Sequence, residues 1–119
     1  MKGTTVSLFL IILAGTAHVE AHAFLKDAEP SVGSTVQAPP NEVQIRFTEN
    51  IEAAFSSIQV FDGSGKEVDK RDVHVSRSDQ SLMVISMPPL QDGIYKVVWR
   101  VVSVDTHVTK GSFTFRIVR

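Results

Sequence analysis

The sequence predicts an all-β domain: a single seven-stranded Greek-key β-barrel or sandwich of immunoglobulin-like type. Three observations lead there. Apolar residues alternate with polar ones in short runs, turn-forming pairs separate those runs, and no long stretch repeats with the 3.6-residue period of a helix.

The segment after residue 22 supplies the first strand. Val43, Ile45 and Phe47 then alternate with Gln44 and Arg46, and Ile58 and Val60 flank Gln59 ahead of an Asp62-Gly63-Ser64-Gly65 turn. A weaker strand is expected between Glu67 and Val75. Leu82 to Met87 is almost continuously apolar, as in a strand covered on both faces, and Pro88-Pro89 ends it because proline has no N–H for a ladder. After an Asp92-Gly93 turn, Tyr95, Val97, Trp99 and Val101 share one face, with Lys96 and Arg100 on the other. Phe113, Phe115 and Ile117 alternate with Ser112, Thr114 and Arg116 to close the set, and Asn50 to Ser56 has room for one helical turn. Trp99 reads as a core residue, and Tyr95 as a tyrosine corner whose hydroxyl bonds backbone near the preceding turn.

The first residues carry a different pattern. One charge at Lys2 is followed by an uncharged stretch through Leu8, Phe9, Leu10, Ile11, Ile12 and Leu13, with the next charge at Glu20. This is the form of a secretory signal peptide, too short to cross a bilayer as a helix and without a second apolar segment behind it. Two cleavage positions compete. Cutting after Ala21 leaves His22 as the first residue, whereas the Ala21-His22-Ala23 pattern favours cutting after Ala23 and would discard His22.

Composition excludes several classes of function. Lys2 and Glu20 cancel, so the net charge of −1 persists after processing, with no basic field for nucleic acid or polybasic patch for anionic lipid. The mature chain is expected to be a soluble monomer. Cysteine is absent, which rules out disulfides, thiolate metal sites and cysteine nucleophiles.

Histidine carries the chemistry. Besides His18 in the leader, the chain holds His22, His74 and His107. An N-terminal histidine offers its α-amine and ring Nδ1 to one metal ion, closing a chelate that an internal histidine cannot form. A second imidazole plus a carboxylate or water completes the tetragonal N,O set that Cu(II) prefers over Zn(II). Asp105-Thr106-His107 lies between two strands, and an extended backbone there points Asp105 and His107 the same way. His74, among charged residues, reads as an exposed side chain.

A wider set of residues resembles the CopC family of bacterial periplasmic copper-binding proteins. It comprises His22, Leu25, Glu29-Pro30-Ser31-Val32-Gly33-Ser34, Arg46-Phe47-Thr48-Glu49-Asn50-Ile51, the block from Gly93 to Ser103, and Asp105-Thr106-His107 with Gly111. The resemblance implies a seven-stranded Greek-key domain over residues 22–119, a leader of residues 1–21, and one Cu(II) ion. It implies that His22 supplies amine and ring, His107 a second ring, and Asp105 a carboxylate to the metal or its outer shell. Glu49 matches an acidic position near the copper, as an outer-shell or weak ligand. It also favours cleavage after Ala21. Some members carry a methionine-rich Cu(I) site; here only Met83 and Met87 remain after processing, both in or beside an apolar strand, so a Cu(II)-only site is expected.

The function implied is periplasmic copper homeostasis or resistance, with the protein carrying or buffering copper and passing it to an inner-membrane copper transporter, without catalysis. Two other classes compete. A copper-dependent oxidative enzyme would use a similar amine-plus-two-imidazole site but needs an open copper position and a broad substrate surface. A metal-free immunoglobulin-like interaction module would bind no copper.

Overall fold

The computed structural model describes residues 25–119. His22 and the leader expected over residues 1–21 lie outside the described residues. Eight strands are present among those described. They are β1 (Leu25–Glu29), β2 (Thr35–Val36), β3 (Glu42–Phe47), β4 (Ser57–Phe61), β5 (His74–Val75), β6 (Leu82–Ser86), β7 (Gly93–Val102) and β8 (Val108–Ile117). A short 3-10 turn, Ala53–Phe55, sits before β4, where one helical turn was expected.

Two four-stranded sheets face each other, in the orders β1-β3-β6-β5 and β2-β8-β7-β4. The all-β sandwich is as expected, with one strand more than the seven predicted. The extra strand is β2, whose two residues pair in parallel with Arg116 and Ile117 of β8. A two-residue strand has no alternation to read, so its pairing comes from the other chain segment. The expected strand between Glu67 and Val75 reduces to β5, with an isolated bridge from Phe61 to Glu67.

The alternating runs explain the core. Val43, Ile45 and Phe47 of β3 meet Met83 and Ile85 of β6 and the inward row Tyr95, Val97, Trp99 and Val101 of β7. The two methionines are 0 % and 4 % exposed, so both serve packing. Trp99 is 3 % exposed and meets Phe47 edge-on with ring centroids 5.3 Å apart. Tyr95 donates its hydroxyl to the Gln91 carbonyl at 2.7 Å, which is the expected corner. The buried Asp69 carboxylate accepts the Val60 N–H at 2.8 Å and the Arg71 N–H at 2.9 Å, tying the irregular 66–71 segment to the edge of β4.

β8 starts five residues earlier than its aromatic alternation suggests, because its first inward positions are Thr109 and Gly111. Small residues stand there for a reason. Trp99 pairs with Gly111 across the ladder and lays its indole over it, so that a Cβ at 111 would lie 2.6 Å from Trp99 Cζ2. Gly111→Ala is therefore expected to destabilise the fold by about 1–3 kcal/mol through overpacking, measured as a lower urea midpoint at unchanged m-value.

Candidate metal centre

The long β7–β8 hairpin delivers Asp105-Thr106-His107 at one end of the sandwich. Its ladder runs unbroken from Gly93 with Ile117 to Val102 with Val108, so the loop between the strands is short and held from both sides. Ser103, fully buried at the end of β7, organises that loop. Its N–H donates to the His107 carbonyl at 2.9 Å, its carbonyl accepts the Thr106 N–H at 2.8 Å, and its hydroxyl accepts the His107 N–H at 3.2 Å. The same hydroxyl donates to Asp105 Oδ1.

The local conformation differs from the extended one that the Asp-x-His spacing suggested. Thr106 is left-handed, with φ of 72°. A non-glycine residue in that region costs free energy and persists only where its surroundings hold it there, here through the bonds to Ser103. Asp105 and His107 still come together, with Oδ2 3.5 Å from Nδ1, but through a tight turn instead of an extended strand.

Glu49 arrives from the other sheet. It follows β3 by two residues, and its loop is stitched to the hairpin by an Ile51–Ser103 bridge and by the Val104 N–H donating to the Asn50 carbonyl at 3.0 Å. Ile51 is buried in the core, 5 % exposed, which holds the loop down. One potential ligand atom each from Glu49, Asp105 and His107 lies within 4.8 Å of the others, and all three residues are exposed.

The two carboxylates influence each other. Partial loss of hydration, a hydrogen bond to Asp105 and the Asp105 charge push Glu49 above its ordinary pKa, against the pull of His107. Asp105 moves the other way. The Ser103 hydroxyl lowers it, working against partial loss of hydration, and Glu49 and His107 lower it further. Of the pair, Glu49 is thus the one that gives up its proton last, and a cation would relieve the repulsion that full ionisation brings.

Of the residues singled out in the sequence, Glu49, Asp105 and His107 share this site, and His22 lies outside the described residues. His74 stands apart on the exposed edge strand β5, with Nδ1 3.1 Å from the Asp72 carbonyl. Sequence reasoning missed Ser103. A serine closing an apolar strand looks like a turn residue, and nothing in its spacing says that its hydroxyl serves both Asp105 and the backbone of His107.

Comparison with known proteins agrees with this fold. A family model described as the CopC domain matches residues 25–118. Copper resistance protein C of Pseudomonas syringae pv. tomato is 36 % identical over 118 residues, covering 94 % of this chain and 93 % of the relative. Copper transport protein CutJ of Bacillus subtilis is 30 % identical over 111 residues; the match spans 92 % of this chain but only 20 % of that much longer protein. The crystal structure of CopC from Methylosinus trichosporium OB3b superposes with a TM-score of 0.74 at 35 % identity, over 81 % of this chain and 93 % of that one. With the fold and these matches in agreement, the chain belongs to the CopC domain family.

Proposed function

We propose that this protein carries or buffers copper in the periplasm, holding one Cu(II) ion and passing it to an inner-membrane copper transporter. Residues 1–21 are a leader removed after Ala21. His22 then provides its α-amine and ring, His107 a second ring and Asp105 a carboxylate, with Glu49 as an outer-shell or weak ligand. The protein acts as a monomer and has no catalytic role.

The observation that carries this reading is the convergence of Glu49, Asp105 and His107 within 4.8 Å at the end of the sandwich where β1 begins. In the β1–β3 ladder Leu25 pairs with Phe47. Phe47 lies two residues before Glu49, and three residues of extended chain can span about 10 Å, a length compatible with His22 serving this cluster. On their own, two carboxylates and one imidazole suit many cations. The amine and ring of a first-residue histidine make the set nitrogen-rich and select copper. Delivery to a transporter is supported by CutJ, a copper transport protein in which a segment like this chain makes up a fifth of the length.

His107→Ala tests the site directly. It is expected to weaken Cu(II) binding at least tenfold with an unchanged thermal midpoint, because the side chain is 73 % exposed and adds little to the core. Unchanged affinity in a chelator competition would overturn the assignment. Adding one glycine before His22 tests the chelate, since it converts the amine to an amide that is no longer a ligand. A large loss of affinity with no loss of metal-free stability is expected, with intact mass establishing each N-terminus.

Proton competition sets the pH dependence. Copper must displace protons from an α-amine, whose ordinary pKa is about 7.7–8.0, and from imidazole nitrogens. The raised pKa of Glu49 means that its proton too persists to higher pH than on a free carboxyl, whereas the lowered Asp105 stays ionised. Affinity should fall as pH drops below about 7, more steeply than for a single imidazole, in titrations at fixed ionic strength.

A further inference from the structure

The charges on the β2-β8-β7-β4 sheet are all of one sign. Its strands carry no aspartate or glutamate, and their charged residues are Lys96, Arg100, Lys110 and Arg116, all exposed. Lys96 and Arg100 alternate with the buried Tyr95, Val97, Trp99 and Val101, so they point outward. The ladder sets Arg100 directly opposite Lys110, and Arg116 opposite Ile94. The outer face of the sheet thus bears a basic stripe, about 20 Å long from the Arg100 and Lys110 pair to Arg116. Like charges set opposite one another repel, and none of the four is ion-paired among the described residues. The facing sheet is mixed: Asp27, Glu29 and Glu42 share its strands with Lys26 and Arg46, and Arg46 lies 2.6 Å from Asp79. In the sequence the four cations are spread from 96 to 116 and form no polybasic run. Strand pairing assembles the patch that composition argued against.

Apolar side chains flank the stripe at both ends. Ile94 stands beside Arg116, and Val108 lies beyond Lys110 on the same face, opposite Val102; both are exposed. Phe55, 66 % exposed, lies beside Arg100, whose guanidinium donates to its carbonyl at 3.5 Å. At the other end a polar groove of about 240 Å³, lined by Ser34, Thr35, Thr114 and Ile94, gives a headgroup room beside the Arg116 guanidinium. Between the ends the exposed Ser57, Gln59, Ser112 and Thr114 stand among the cations, with Val98 half-buried. A protein interface usually has an apolar core and a polar rim. This face has the reverse order, with charge and polar groups at its centre. An anionic bilayer needs no apolar core, because its headgroups take cations and its acyl boundary takes apolar side chains.

We propose that the outer face of the β2-β8-β7-β4 sheet is a docking surface for an anionic phospholipid bilayer. Lys96, Arg100, Lys110 and Arg116 engage the headgroups, and Ile94, Val108 and Phe55 reach the acyl boundary. Each cation near such a surface favours adsorption by about fivefold, so the four act together where one alone would not hold the protein. Arg100, Lys110 and Val108 belong to the hairpin that ends in Asp105 and His107, and adsorption through them keeps the candidate centre close to the membrane. The purpose of this contact rests on the proposed delivery to an inner-membrane transporter, since a carrier held at the bilayer searches a plane instead of a volume. The contact itself needs no copper.

The test uses the mature, metal-free protein and co-sedimentation with two kinds of vesicle, phosphatidylglycerol mixed with phosphatidylethanolamine, and phosphatidylcholine alone. The parent is expected to bind the anionic vesicles and not the neutral ones, and to be released between about 0.05 M and about 0.5 M salt as screening shortens the reach of its charges. Arg100→Gln combined with Lys110→Gln should weaken binding at least about tenfold, with unchanged Cu(II) affinity in solution. Its thermal midpoint should be no lower than the parent's, because the change removes a cross-strand repulsion. Lys26→Gln combined with Arg77→Gln alters the net charge equally but away from this face, at β1 and after β5, and should change binding less than about twofold. A parent that binds both vesicles equally, or loses binding equally in both double variants, would overturn the proposal. So would a parent that binds neither, which would leave the face to an acidic protein. His107→Ala separates this idea from the copper reading, since it should lose tight Cu(II) binding and adsorb like the parent. Adsorption by a parent that binds no copper would uphold the docking face and sink the copper reading.

Discussion

The hydroxyl of Ser103 is the interaction on which the candidate centre depends. Buried at the end of β7, it donates to the Asp105 carboxylate and accepts the N–H of His107, so one side chain sets both residues of the Asp-x-His pair. It also holds a turn in which Thr106 takes a left-handed conformation that threonine does not favour. Exposed side chains on a short loop would otherwise sample many orientations. Here the order comes from beneath, from a residue that solvent does not reach, and the two potential ligands are left free on the surface.

That anchoring works because the hairpin under it is stiff. β7 and β8 are ten residues each and pair along their whole length, with Trp99 laid over Gly111 and Phe47 packed against the indole edge. Close packing leaves little freedom for the strands to slide, since a one-residue slip would turn every inward side chain to solvent. The bridge from Ile51 to Ser103 carries the same rigidity to the loop bearing Glu49, which descends from the opposite sheet. The site thus spans both layers of the sandwich, and its geometry reports on their alignment.

Electrostatics adds a second constraint at the site. Two carboxylates brought together on a surface repel, and the raised Glu49 beside the lowered Asp105 reflects that proximity together with the Ser103 hydrogen bond. In the proposed reading a cation lowers that repulsion, and nitrogen donors decide which cation is held.

Much of this was legible in the sequence, and the reason is periodicity. The alternation in 43–47, 82–87, 95–101 and 113–117 reports which face of each strand is buried, and this determined the sandwich, the core roles of Trp99, Met83 and Met87, and the corner at Tyr95. The Asp105-Thr106-His107 motif was equally plain, because neighbouring residues in a short loop cannot separate far. Tertiary structure decided what periodicity does not encode. The two residues of β2 became a strand only because β8 offered an edge, and the expected strand around residues 67–75 shrank to β5 because Asp69 ties that segment down through side-chain bonds. Glu49 joined Asp105 across more than fifty positions of sequence, and the buried hydroxyl of Ser103 acquired meaning only from what surrounds it. A hydrogen bond is directional and specific to its partner, so its consequences appear only once the chain has brought the partners together.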